Sequence, residues 1–278
     1  MLFACCVTLY NPDNNVIKRI ENYIRLFDKI YLFDNTELEN YSDISRIISK
    51  LEGVEYITEN KNKGLSYALN AIMNKALEGD YDYLCTLDQD SNFQTEDIIQ
   101  IKKHLESTYS DNYGIIGPHI IYHNEMYDKK DKLVDMRYLI TSGGFINLRV
   151  IKKICIRFDE NYFIDRVDVD FGRQIQIRGY RLGEYKGAVL YQQLGTSSGH
   201  DHPNHSPLRH YYIFRNRFYY NKKYYNYPIR FIVSLAQTAK HLILIILYES
   251  DKCEKITQLY YAYNDYRHDD MGNRMDRM

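Results

Sequence analysis

Apolar residues fall into short runs that stop at polar clusters, the pattern of strands buried on both faces. Residues 2–9 read as a first strand, and Asn11-Pro12-Asp13 as the turn that caps a helix over roughly 14–27. Lys29–Phe33, Val54–Thr58 and Tyr83–Leu87 read as three more strands. Ahead of the last of these, Asn60-Lys61-Asn62-Lys63-Gly64 opens an amphipathic helix with Leu65, Ala68, Leu69, Ile72, Ala76 and Leu77 on one face. Alternating strands and helices over the first ninety residues predict a parallel, nucleotide-binding α/β sheet. A helix over about 95–107 then precedes a strand at Gly114–Ile121 and an exposed, aperiodic loop over 122–137. A strand over 139–146 is interrupted by Gly143 and Gly144, and a helix closes at Gly179. Residues 229–249 form an apolar helix broken by Gln237, Lys240 and His241, and the chain from about 265 is expected to fray.

A chain of 278 residues holds one large α/β domain with a helical appendage. A net charge of −1 argues against a general nucleic-acid binder. The five cysteines fit reduced thiols, three of them in or beside strand-like runs, not a disulfide framework or a zinc site. The opening residues carry no basic leader and no run of 18 apolar residues exists, so neither a signal peptide nor a membrane span is expected. Local charge is more telling. From His202 through Tyr248 there is no Asp or Glu, while Arg209, Arg215, Arg217, Lys222, Lys223, Arg230 and Lys240 are interleaved with Tyr and Phe. Such a surface suits a diphosphate or anionic lipid headgroups, and the apolar helix within it can lie on a membrane, mediate dimerisation or pack on the core.

Candidate chemistry centres on Asp88 and Asp90, at the end of the fourth strand. Carboxylates at i and i+2 of an extended segment point the same way and suit a hard cation, Mg²⁺ or Mn²⁺, bridged to a substrate diphosphate. The Asp-x-Asp pattern also occurs at Asp80/Asp82 and Asp168/Asp170, but crevices at the carboxyl ends of parallel strands are where open α/β sheets bind ligands. Asp34-Asn35-Thr36 ends the second strand and either meets a base or ribose or simply makes a turn. Gly64 permits close approach of a phosphate to a helix N-terminus. Asp168, at the start of a helix, is either an N-cap or a general base towards a hydroxyl.

The order of these pieces resembles a known family. Thr8-Leu9-Tyr10-Asn11-Pro12, Asp34-Asn35, Asn62-Lys63-Gly64 with Ala68-Leu69-Asn70, Leu87-Asp88-Gln89-Asp90-Ser91, Thr141-Ser142-Gly143, Phe163-Ile164-Asp165 with Val167-Asp168, Leu194-Gly195, and Arg209-His210-Tyr211-Tyr212 with Arg215-Asn216 are similar to the family 2 inverting glycosyltransferases, the bacterial rhamnosyltransferases in particular. The resemblance implies a GT-A fold: a Rossmann-like mixed sheet flanked by helices over 1–200, nucleotide-binding over 1–92 and acceptor-binding over 93–200, with a helical, basic and aromatic region over 201–278. It implies transfer of a sugar, L-rhamnose from dTDP-L-rhamnose above others, onto a lipid-linked saccharide at the inner face of the cytoplasmic membrane, for capsule or O-antigen. Asp34 would contact the base, Asp88 and Asp90 the ribose and the metal, and Asp168 would deprotonate the acceptor. Thr8, Tyr10, Asn35, Asn62, Gly64, Asn70, Gln89, Gly143, Arg209 and Arg215 complete the donor-binding set that it implies. The chain departs from the family at Gln192, where relatives commonly carry a metal-ligating histidine; either His200, His202 or His205 substitutes or fewer protein ligands hold the metal. Rival readings are a UDP-hexosyltransferase, a degenerate scaffold suggested by Gln192, and a nucleotidyltransferase, whose glycine-rich loop Tyr10-Asn11-Pro12 does not supply.

Overall fold

The computed structural model describes residues 1–107, 111–122, 126–192 and 204–274. It divides into two compact units, one of residues 1–159 and 168–193, the other of 160–167 and 194–278.

The first unit opens with β1 (Phe3–Leu9), α1 (Asn14–Ile24), β2 (Lys29–Asp34), α2 (Asp43–Ile48), β3 (Val54–Thr58), α3 (Leu65–Glu78) and β4 (Tyr83–Asp88). As the patterning predicts, these strands pair in parallel, and the structure orders them β3-β2-β1-β4. Asp13 caps α1 by accepting from the Asn15 N–H at 2.9 Å. There follow β5 (Asn92–Phe93), α4 (Thr95–Ser107), β6 (Tyr113–Ile121), β7 (Leu133–Met136), β8 (Gly144–Asn147), α5 (Leu148–Ile154), α6 (Val167–Ile177) and β9 (Arg181–Tyr191). They extend the sheet to nine strands among the described residues, ordered β3-β2-β1-β4-β8-β6-β9-β5, with β7 on β9. The core between sheet and helices is built from Phe3, Cys5, Val7, Ile20, Leu32, Cys85, Ile101 and Phe145, among others. Cys5, Cys6 and Cys85 are buried free thiols, and Cys155 and Cys253 exposed ones.

Two expectations need correction here, and one strand is not predicted by the pattern. The aperiodic stretch 122–137 contains β7, which pairs antiparallel with β9. β9 itself, eleven residues long, escapes the pattern because Glu184 and Lys186 interrupt its apolar positions. The strand expected over 139–146 shrinks to β8, because Gly143, at φ +78°, turns the chain and donates its N–H to Thr86 O at 2.7 Å.

The second unit packs α7 (Pro207–Tyr224), α8 (Ile229–Tyr248) and α9 (Lys252–Arg267) with the segment 160–167. Ser206 and Pro207 start α7 with a side-chain cap and a proline in the first turn. Phe163, Tyr211, Tyr212, Phe214, Ile245 and Ala262 form its apolar centre. A hydrogen-bonded chain crosses it: Arg217 to His241 Nδ1 (3.2 Å), His241 Nε2 to His210 Nδ1 (3.0 Å), His210 Nε2 to Glu249 (2.8 Å) and Lys255 to Glu249 (2.9 Å). With both imidazoles neutral, each ring accepts at Nδ1 and donates at Nε2, so every link is satisfied in one direction. Residues 265–274, expected to fray, are instead tied down. Asp265 accepts from Tyr211 at 2.6 Å, Gly272 O from Arg215 at 2.8 Å, and Tyr212 from the Arg274 N–H at 3.0 Å. Three polar residues break the apolar run of α8, and by length and composition alone the helix is still apolar enough to cross a membrane.

Candidate active site

Parallel strands deliver their last residues to one edge. In the register of β1 with its neighbours, Thr8 lies opposite Asp88 and Leu9 opposite Asp34. Asp34 is fully buried, and its two oxygens accept from the Thr36 N–H (2.9 Å) and the Tyr56 hydroxyl (2.6 Å). Burial, and then this carboxylate, push the Tyr56 hydroxyl well above its ordinary range, so it stays a donor. Asn35 accepts from the Lys63 N–H at 3.1 Å, and Asn62 from the Gly64 N–H at 3.0 Å. Gly64 starts α3 at φ +86°, a left-handed conformation that favours glycine. The loop expected to approach a phosphate is therefore held in place by two asparagines.

Beyond β4 the chain makes a pinned turn. Gln89 clasps the Tyr10 backbone, accepting from its N–H (2.9 Å) and donating to its carbonyl (3.1 Å). Ser91 meets Ser142 hydroxyl to hydroxyl at 2.6 Å, and its carbonyl accepts from Tyr23 at 3.0 Å. The turn leaves Asp90 exposed and Asp88 half-buried. Burial, then the charges of Asp90 and Asp168, push the Asp88 carboxyl up to about 6, against the hydroxyls of Ser142 and Thr8, which pull it down. Asp168, in the first turn of α6, accepts from the Tyr138 hydroxyl at 2.7 Å and the Val169 N–H at 2.8 Å. The structure thus brings Asp88, Asp90 and Asp168 into one electrostatic group. Gln192 Nε2 lies 3.4 Å from Asp88 Oδ2, so the residue standing where relatives carry a histidine is at the site.

Among the described residues no group of three His, Cys, Asp or Glu side chains is placed to hold a metal. Two carboxylates suffice for Mg²⁺ or Mn²⁺ when phosphate oxygens and water complete the shell. The Asp88 carboxyl is raised first by burial and then by Asp90 and Asp168, and a cation there would offset both, so Asp88 and Asp90 fit a hard divalent ion.

Four other residues expected to bind the donor, Gln89, Asn70, Arg215 and Gly143, also have structural work in the fold. Besides Gln89, Asn70 is buried and clamps the Phe158 backbone, donating to its carbonyl at 2.9 Å and accepting from its N–H at 3.0 Å. Arg215 is fully buried in the second unit, bonded to Tyr211 at 3.2 Å and Gly272 O at 2.8 Å. Gly143 is a glycine for packing as well as for its φ: a Cβ there would stand 2.9 Å from Leu190 Cδ2 and 3.0 Å from Pro118 Cγ. Arg209, exposed on α7, faces Asp165 at 3.5 Å. Leu194, Gly195, His200 and His202 lie outside the described residues, and His205 belongs to the second unit, its ring 5.9 Å from that of His210. Ser142, Tyr138 and Tyr56 are site residues absent from the sequence-based set; only Ser142 carries a signal, its place between Thr141 and Gly143.

Comparison with known proteins places this arrangement. The chain is 25% identical over 276 residues to the dTDP-rhamnosyl transferase RfbF of Shigella flexneri, covering 91% of this chain and 90% of that one. It superposes on the crystal structure of S. aureus TarS 1-349 with a TM-score of 0.60 at 14% identity, covering 96% of this chain and 80% of that one. The complex of the same protein with UDP-GlcNAc gives a TM-score of 0.60 at 13% identity, with the same coverage. These likenesses bear out the GT-A fold with its helical C-terminal region. The profile of Glycosyl transferase family 2 matches residues 5–169, more than half of the sequence, and the chain belongs to that family of glycosyltransferases.

Proposed function

We propose that this glycosyltransferase takes L-rhamnose from dTDP-L-rhamnose and transfers it, with inversion, to a lipid-linked saccharide destined for a cell-surface polysaccharide. The observation that carries the reading is the strand register that sets Asp34 and Asp88 at one sheet edge next to Asp90, with Asp168 near enough to help raise the Asp88 carboxyl. The likeness to a dTDP-rhamnosyl transferase along nine-tenths of the chain supports the donor.

Each residue has a physical task in this reading. Asp34, buried and bonded to Tyr56 and Thr36, fixes the strand end at which the nucleobase would sit. Asp88 and Asp90, with the amide oxygen of Gln192 as a further hard donor, would hold Mg²⁺ or Mn²⁺. Bound there, the ion would supply the positive charge that a departing diphosphate needs. Asp168, held by Tyr138 and its own helix turn, accepts the proton of the acceptor hydroxyl as that oxygen bonds to the anomeric carbon. The bond from the anomeric carbon to the diphosphate oxygen breaks on the opposite face, and dTDP leaves with the electron pair.

The test is transfer from labelled donors to lipid extracted from bacteria that make rhamnose-containing polysaccharide. Label from dTDP-L-rhamnose should enter the lipid fraction, and label from UDP-glucose or UDP-N-acetylglucosamine should not. Transfer from a UDP-sugar alone would keep the family and overturn the donor.

A further inference from the structure

Helix α8 is amphipathic the wrong way round for a helix on a water-facing surface. Its polar stripe is turned inward. Ser234 and Gln237 accept from Asn221 at 3.0 and 3.1 Å, the Gln237 carbonyl accepts from Arg217 at 3.0 Å, and His241 is bonded to Arg217 and His210. Ile245, on the same stripe, is fully buried. The opposite face is apolar and open: Ile232, Leu235, Ile243, Ile246 and Leu247 are 50–61% exposed. Exposed aromatics mark both ends, Tyr227 and Phe231 at the start and Tyr248 at the finish. Lys223 and Lys240 are exposed around it, Lys222 is ion-paired with Asp269 at 2.7 Å, and residues 204–248 contain no carboxylate side chain.

We infer that α8 lies in the plane of an anionic lipid bilayer, with this apolar face sunk into the acyl boundary. A large apolar face flanked by cations and ended by amphipathic rings is the composition of an interfacial helix, the rings sitting at headgroup level. Charge selects the occupant. Two copies packed face to face through α8 would set Lys223 and Lys240 against the same cations, with no carboxylate in 204–248 beside them, whereas anionic headgroups bring the opposite charge to that face. The inward stripe selects in-plane over spanning. A helix crossing the bilayer would trade the bonds of Ser234, Gln237 and His241 to α7 for hydrocarbon.

The test is sedimentation of the full chain with vesicles of phosphatidylcholine alone and of phosphatidylcholine with phosphatidylglycerol, over a salt series. The protein should pellet with the anionic vesicles, lose binding as salt rises, and lose at least about tenfold in affinity as Leu235→Glu/Ile243→Glu. Both positions are exposed, so the circular dichroism melt and any nucleotide-induced stabilisation should survive, which separates membrane docking from the transferase reading. Should that variant misfold, Lys240→Glu alone should still weaken anionic binding. Equal pelleting with neutral vesicles would overturn the inference. So would a dimer, free of lipid, that the Leu235→Glu/Ile243→Glu variant dissolves, or resistance of expressed protein to alkaline carbonate extraction, which would make α8 a span.

Discussion

Replacing Asp88 by Asn should make the metal-free protein more stable and the enzyme inactive. The carboxyl rises from 3.8 to about 6 in the folded chain, chiefly through burial and then through Asp90 and Asp168. At 1.36 kcal/mol for each tenfold shift in proton affinity, ionising it at neutral pH costs the native state roughly 3 kcal/mol. Asp88 is only half-buried, so solvent screens part of that cost and we expect a gain of ~1–2 kcal/mol on substitution. The sign follows from the raised value. The native state is penalised once pH exceeds the unfolded value of 3.8, and the penalty is complete above about 6. In EDTA at pH 7.5, Asp88→Asn should therefore melt a few degrees above the wild type, and the difference should vanish below about pH 4. Adding Mn²⁺ should stabilise the wild type and leave the variant unmoved. Equal melting at pH 7.5, or a gain that persists at pH 4, would show that Asp88 carries no such penalty.

Other outcomes follow from the same geometry. Asp168→Asn should lower kcat by about 10²–10⁴ while leaving the nucleotide-induced rise in melting temperature unchanged, because it removes a proton acceptor and not a donor contact. Gly143→Ala should destabilise by ~1–3 kcal/mol, read by urea unfolding, since a Cβ would meet both Leu190 and Pro118 at a positive φ. His241 is held down to about 3 by burial, then by Arg217 and His210, against the pull of Glu249 and with a small push from His205. Its folded value is depressed, so stability is complete above about pH 6.5 and falls as pH drops towards 3, by at most about 1.4 kcal/mol per pH unit and less because the ring is only half-buried. Acid titrations of Tm for the wild type and His241→Gln should show the shallower slope in the variant.

The parallel half of the sheet is legible in the sequence because each of its strands is an apolar run that ends in polar residues at one edge. That pattern puts Thr8, Asp34 and Asp88 at strand ends on one edge, and the order β2-β1-β4 then sets them side by side. β9 and β7 are not legible, because their sides carry charges that pair across the sheet or face solvent, such as Arg181 with Asp135 at 3.2 Å. The site shows the same division. Residue type and order select the carboxylates, but partners far apart in sequence decide which polar residues are left for a ligand. Gln89 is taken up by Tyr10, Asn70 by Phe158 and Arg215 by Gly272, at separations of 79, 88 and 57 residues. Tyr56 and Tyr138 are silent for the mirror reason: a tyrosine carries no mark of the carboxylate it will orient.

If the edge formed by Asp34, Asp88 and Asp90 binds the nucleoside diphosphate of the donor together with a divalent cation, nucleotide affinity must depend on that cation. Isothermal titration of the full chain with dTDP, in Mn²⁺ and in EDTA, measures this dependence. Heat of binding should appear in Mn²⁺, disappear in EDTA and in Asp90→Ala, and be weaker with UDP. Binding of dTDP that is equally tight in EDTA and in Asp90→Ala would contradict a metal-bridged donor site at this edge.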